Sequence, residues 1–215
     1  GTTNWVVPHP TLNTSWNYAN VSYGNNTGTD VIIVYDGEDS GNNVPAGMWI
    51  FGGNDCTFAA NTTLTANLNC STLGVESSVA VVTDIYNITA SGAVSLNGTL
   101  NASQGGDQSF GATTINSGGT YEASNQKTTL SGTFSGTGTF IHNDGEIYVD
   151  TNSIEVNHLG PYYDLVIAGE NVELRKSGTY SFVNEFNISG AGNYVRPTVA
   201  NANWKFGNSS QSGYF

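Results

Sequence analysis

Apolar side chains recur along this chain at every second position over very short distances; the alternation then breaks at Gly, Asn or Asp and starts again. In "AVSLNGTL" (93–100) and "EIYVD" (146–150) every second side chain would face a core, as in a half-buried strand. Two longer runs, "DVIIVYDG" (30–37) and "SSVAVVTDIYNIT" (77–89), are continuous and β-branched, which predicts strands buried on both faces. No window of a dozen residues places apolar positions at i, i+3, i+4 and i+7 among helix formers, so helices are not expected. Gly, Asn and Asp supply the positive-φ corners that such short strands need.

The rhythm is also a repeat. "YNITASGAVSLNG" (86–98), "TTINSGGTYEASN" (113–125) and "FNISGAGNYV" (186–195) share an Ile near a small-residue corner and a further short strand. Ile88 and Ile115 are 27 residues apart, and "TFSGTGTFIHNDG" (133–145) follows about 20 residues later. Periods of about 20 to 30 residues built from strands and tight turns predict an all-β chain, a β-solenoid in which each coil lays its strands on those of the coil before. A β-sandwich or jelly roll is the alternative that the strand spacing permits. In the solenoid reading Phe134 and Phe140 are core rungs, and Asn143-Asp144-Gly145 is a corner. Residues 1–74 hold Trp5, Trp16, Trp49 and both cysteines with longer irregular connections, and read as an N-terminal β module or cap; 75–215 reads as the repetitive solenoid-like domain.

Within 131–190 the pattern of an aromatic, His-Asn-x-Gly, an alternating strand and then aromatic-x-Leu-x-Ile falls on Phe140, His142, Asn143, Gly145, Ile147, Val149, Tyr163, Leu165 and Ile167. This segment, and 75–195 more loosely, resembles the Gly/Thr/Asn-rich repeats of large prokaryotic surface and adhesin-like proteins and of marine phage virion appendages. The resemblance implies a β-solenoid scaffold without known catalysis.

Composition fits that expectation. Charged residues make up 10% of the 215, where an ordinary soluble domain has about 25%. Coils stack about 4.8 Å apart, so like residues lie on like; stacked charges repel, whereas Ser, Thr and Asn can hydrogen-bond. Five basic residues (Lys127, Arg175, Lys176, Arg196, Lys205) stand against 17 acids, a net charge of -12. Nucleic acid, whose binding is dominated by Lys and Arg neutralising phosphates, is therefore not an expected partner. Nor is membrane insertion, since no apolar run approaches the ~18 residues of a span. The chain begins at Gly1 without Met, which reads as either removal of a leader or a piece of a longer polypeptide.

Chemistry is sparse. Cys56 and Cys70 have no His beside them to complete a zinc site, so a disulfide is the expectation, with reduced buried thiols as the alternative. A disulfide would place the protein outside the cytoplasm. Ten glycosylation sequons occur, at Asn13, Asn20, Asn25, Asn61, Asn69, Asn87, Asn97, Asn101, Asn187 and Asn208, a mild excess over the about six that abundant Asn, Ser and Thr produce by chance. Asp36, Glu38, Asp39 and Asn42 offer oxygen ligands for Ca²⁺, the single cofactor candidate, although their spacing departs from the twelve-residue calcium loop and also suits a solvated turn. Trp5, Trp16 and Trp49 are candidate glycan-stacking platforms. His9, His142 and His158 read as exposed polar residues. For a polysaccharide lyase or hydrolase the candidates are Asp84, Asp144, Glu146 and Asp150, with Arg175 or Arg196 as base; the solenoid reading makes Asp144 the turn residue of Asn-Asp-Gly and Glu146 and Asp150 outward side chains.

The expectation is a non-enzymatic structural subunit of an extracellular filament, sheath, cell-surface or virion appendage. It would assemble with copies of itself or with other surface or virion proteins through strand edges, "GTTNWVV" (1–7) being a candidate donor strand. A carbohydrate- or receptor-binding module and a polysaccharide-degrading enzyme are the alternatives.

Overall fold

A computed structural model describes residues 55–64 and 67–189, together with the backbone of the strands Val195–Pro197 and Ala202–Phe206. The described residues form a β-solenoid of about seven turns, and every strand pairing is parallel. Strands fall on three faces: eight on the first, five on the second and eight on the third. One coil runs through Val94–Leu96 on the first face, Thr99–Asn101 on the second and Gln108–Phe110 on the third, and returns to the first at Thr113–Ile115.

Strands this short can be buried only by stacking. Alternation supplies the inward side chains, and the register aligns them into columns. On the first face Cys56, Leu73, Val94, Thr113, Phe134, Val156 and Leu174 lie one above another. On the second, Thr62, Val81, Leu100, Tyr121 and Phe140 do so, and on the third, Cys70, Ala90, Phe110, Leu130, Val149, Ile167 and Ile188. Phe134 and Phe140 are the core rungs that the alternation predicts, 0% and 4% exposed. Ring contacts continue along the interior from Phe110 through Tyr121, Phe140, Tyr162 and Phe182 to Phe186, with centroids 4.5 to 6.0 Å apart.

Two readings of the sequence are corrected. The run 77–89 is not one strand buried on both faces. It divides into Ala80–Val82 on the second face and Ile88–Ala90 on the third, around a corner where Asp84 has φ 51°. Val79, Val81 and Ile88 are buried, while Ile85, at the corner, is 66% exposed. The 27-residue spacing of Ile88 and Ile115 is not the repeat either, because Ile88 lies on the third face and Ile115 on the first. Side-chain hydrogen bonds between adjacent coils show the period, from 17 residues (Thr72 to Asp55) to 22 (Gln108 to Tyr86).

Asp55–Phe58 pairs with Thr72–Val75 in the first face, so the stack takes in residues 55–74, which precede the repetitive stretch of the text. Cys56 and Cys70 form a disulfide across the interior of this coil, from the first face to the third, with Cα atoms 5.8 Å apart.

Candidate functional site

The second face stops before the other two. Its last strand, Thr139–Ile141, is followed one coil later by residues 158–161, His-Leu-Gly-Pro, which form no strand. Gly160 takes φ 90°, the Gly160–Pro161 bond is cis, and Pro161 has no N–H to give a ladder. Among the described residues the coils beyond it have strands on the first face and the third alone, and the third-face strands lengthen to Tyr162–Ile167 and Gly178–Ile188 before Ala202–Phe206.

His158 sits at this change of cross-section, 5% exposed rather than at the surface as its neighbours in sequence indicated. Its ring centroid lies 5.3 Å from that of Phe134 and 5.8 Å from that of Phe140. Nδ1 accepts the Gly160 N–H at 3.2 Å, so the proton is on Nε2, which donates to Gly138 O at 3.2 Å. The Tyr162 hydroxyl donates to His158 O at 2.5 Å. Burial in this aromatic setting and the positive charge of Lys176 push the imidazole below the ordinary histidine range, against the opposing effect of the Gly138 carbonyl.

His142, by contrast, lies at the outer corner between the second and third faces, its ring stacked on Tyr163 at 5.6 Å. Asn143 and Asp144 have φ 45° and 58°, and Gly145 closes the turn by donating its N–H to His142 O at 3.0 Å. His142 Nδ1 accepts the Asp144 N–H at 3.0 Å, and Asp144 is 75% exposed. These are contacts of a corner.

Corners also explain the abundance of Asn. The Ala80 N–H donates to Asn61 Oδ1, the Asn87 N–H to Asn67 Oδ1 and the Glu170 N–H to Asn152 Oδ1, at 2.7 to 3.0 Å. Each amide oxygen thus takes a backbone donor of the coil above, where the turn interrupts the ladder. Gln108 does the same inside: Oε1 accepts the Ile88 N–H at 2.9 Å, and Nε2 donates to Gly106 O at 3.1 Å and Tyr86 O at 3.3 Å.

Among the sequons, Asn61, Asn69, Asn97 and Asn187 are exposed, while Asn87 and Asn101 are half-buried. Asn101 Oδ1 is taken by Ser103 N–H and Oγ–H. Asn13, Asn20, Asn25 and Asn208 lie outside the described residues. So do His9, the calcium candidates Asp36, Glu38, Asp39 and Asn42, the aromatic candidates Trp5, Trp16 and Trp49, the 1–7 strand and the side chain of Arg196.

Of the carboxylates proposed for polysaccharide cleavage, Asp84 and Asp144 are not brought together. Asp84 is a corner residue of the second described coil and Asp144 of the fifth, about 14 Å apart at ~4.8 Å per coil, more than a hydrolytic pair spans. Asp150 is exposed beyond the end of its strand. Arg175 is engaged with Glu155, whose carboxyl it lowers together with Asn157, and with Glu173 at 3.8 Å. Sequence reasoning missed one carboxylate row on the third face: Lys127, Glu146, Asp164 and Glu185 are successive partners in register. Lys127 Nζ lies 3.4 Å from Glu146 and 4.3 Å from the Tyr148 ring centroid, and Asn184 Nδ2 donates to Asp164 at 2.7 Å. Spacing these acids by about 20 residues would have aligned them. Among the described residues, no group of three His, Cys, Asp or Glu has a metal-holding arrangement.

Two outward columns are small and largely hydroxylated. On the first face Thr57, Gly74, Ser95, Thr114, Ser135 and Asn157 follow one another, and on the second Ala80, Thr99, Thr120 and Thr139. What this geometry defines is the class of β-solenoid proteins. No protein-family model, curated protein or solved structure matches the chain.

Proposed function

We propose that this protein is a non-enzymatic structural subunit of an extracellular filament, sheath or surface appendage, on a cell or a virion. The observation that carries the reading is the outer surface of the stack. On the first face one outward column is Thr57, Gly74, Ser95, Thr114, Ser135 and Asn157, and on the second one is Ala80, Thr99, Thr120 and Thr139, uncharged and regular, so copies can pack side by side along them without burying unpaired charge. A stack of coils also has backbone edges, which can act as templates for adding another chain. The Cys56–Cys70 disulfide suits an oxidising environment.

Analytical ultracentrifugation and negative-stain imaging of the purified chain, with and without residues 1–7, test this proposal. Assembly is expected to grow with concentration into regular polymers and to be lost on deletion of 1–7. A chain that stays monomeric up to millimolar concentration contradicts the subunit reading. Polymer that survives the deletion removes the donor-strand role alone.

A further inference from the structure

The backbone of 158–161 crosses the end of the second face where a strand would otherwise lie. Among the described residues its one hydrogen bond to the coil beneath is His158 Nε2 to Gly138 O. Above, Leu159 O accepts the Ser181 N–H at 3.2 Å. The ring therefore links the segment to Gly138, the residue that leads into the Thr139–Ile141 strand, and it does so in one protonation state. Nδ1 must be bare to accept Gly160 N–H, so a second proton would set two N–H groups against each other and leave a cation among Phe134, Phe140 and Tyr162. The titratable groups around it offer no compensation. Lys176 is cationic and its Nζ donates to Gly136 O; the Tyr162 hydroxyl donates to His158 O, and the Tyr180 hydroxyl to Val156 O at 2.7 Å. Among the described residues, the charge that acts on the ring is that of Lys176.

We propose that residues 158–161 are an acid-sensitive strap: neutral His158 holds it closed over the end of the second face, and protonation of His158 releases it to uncover the Thr139–Ile141 edge. The sign follows from linkage. The open form takes up a proton near the ordinary histidine value of 6.5 and the closed form only at lower pH, so closure is fully stable above about 6.5 and weakens as pH falls. What would be uncovered is Phe140 in the core and Ile141, already 40% exposed, on a strand that no other strand covers among the described residues.

Hydrogen exchange of peptides spanning 138–162, corrected for the intrinsic pH dependence of exchange, reads the opening directly. Between pH 7.5 and 5.0 the open population is expected to rise by up to about 30-fold, the factor set by a group of pKa 6.5 in the open form. In His158→Gln, where an amide donor and acceptor replace the two ring nitrogens without a titration, the rise should vanish; His142→Gln should keep it. A rise above threefold that depends on His158 supports the strap. A smaller rise, or the same rise in His158→Gln, overturns it. Should that variant not fold, the wild-type ring decides: an NMR titration midpoint for His158 below 6.5 is required, and one at 6.5 or above overturns the proposal.

Discussion

Single residues in this chain are constrained from the coil above and the coil below. Gly145 shows the consequence: a Cβ there would fall onto Ser124 O of the coil beneath, with backbone rather than a flexible side chain as the obstacle. Gly145→Ala is expected to cost about 1–3 kcal/mol, read as a lower urea midpoint with an unchanged slope. Gln108 is the polar counterpart, 1% exposed with both ends of its amide bonded. Gln108→Leu keeps the volume but strands the Ile88 N–H and the Tyr86 and Gly106 carbonyls, for an expected loss of about 1–3 kcal/mol. A change below 0.5 kcal/mol would mean that these groups find other partners. By the same logic Glu155→Gln on the surface should lie within about 0.5 kcal/mol of wild type, although Arg175 binds that carboxylate.

At the scale of the coil, local pattern made part of the fold legible and hid the rest. Alternation in 93–100 and 146–150 identified inward residues correctly, since Val94, Leu96, Leu100, Ile147 and Val149 are all buried. It misled where a corner is itself apolar. Ile85 and Tyr86 continue the hydrophobic run through a turn whose signature is a positive φ at Asp84, and a run of β-branched residues cannot announce that angle. The period was equally obscure, because the inward column on one face mixes Leu, Val, Thr and Phe, and strand identity is set by spacing rather than by residue type. His158 was invisible for a related reason: nothing local distinguishes it from His142, and its burial depends on the second face ending one coil earlier. The cysteine pair was the legible long-range contact, and it closes the first described coil with a sequence separation of 14. Reducing it, or replacing both residues by Ala, is expected to cost about 3 kcal/mol and to raise hydrogen exchange first in 55–75, whereas coils beyond 113 keep their protection. Uniform loss of protection along the stack would show that coils do not exchange independently.

The described residues form a row of coils that contact their neighbours, with aromatic rings stacked in the interior and outward columns of small and hydroxylated residues on the first and second faces. The faces and strand edges of this row are the surfaces through which association is proposed. The proposal that this chain is an assembly subunit rests on those surfaces, and the net charge of -12 would favour dispersal of individual copies. Cryo-electron microscopy of the protein in material from its native source tests that claim most directly. Long, regular polymers are expected in which each subunit shows the stacked coils of 67–189; isolated monomers, with no polymer and no array on a particle or cell surface, would contradict the proposal.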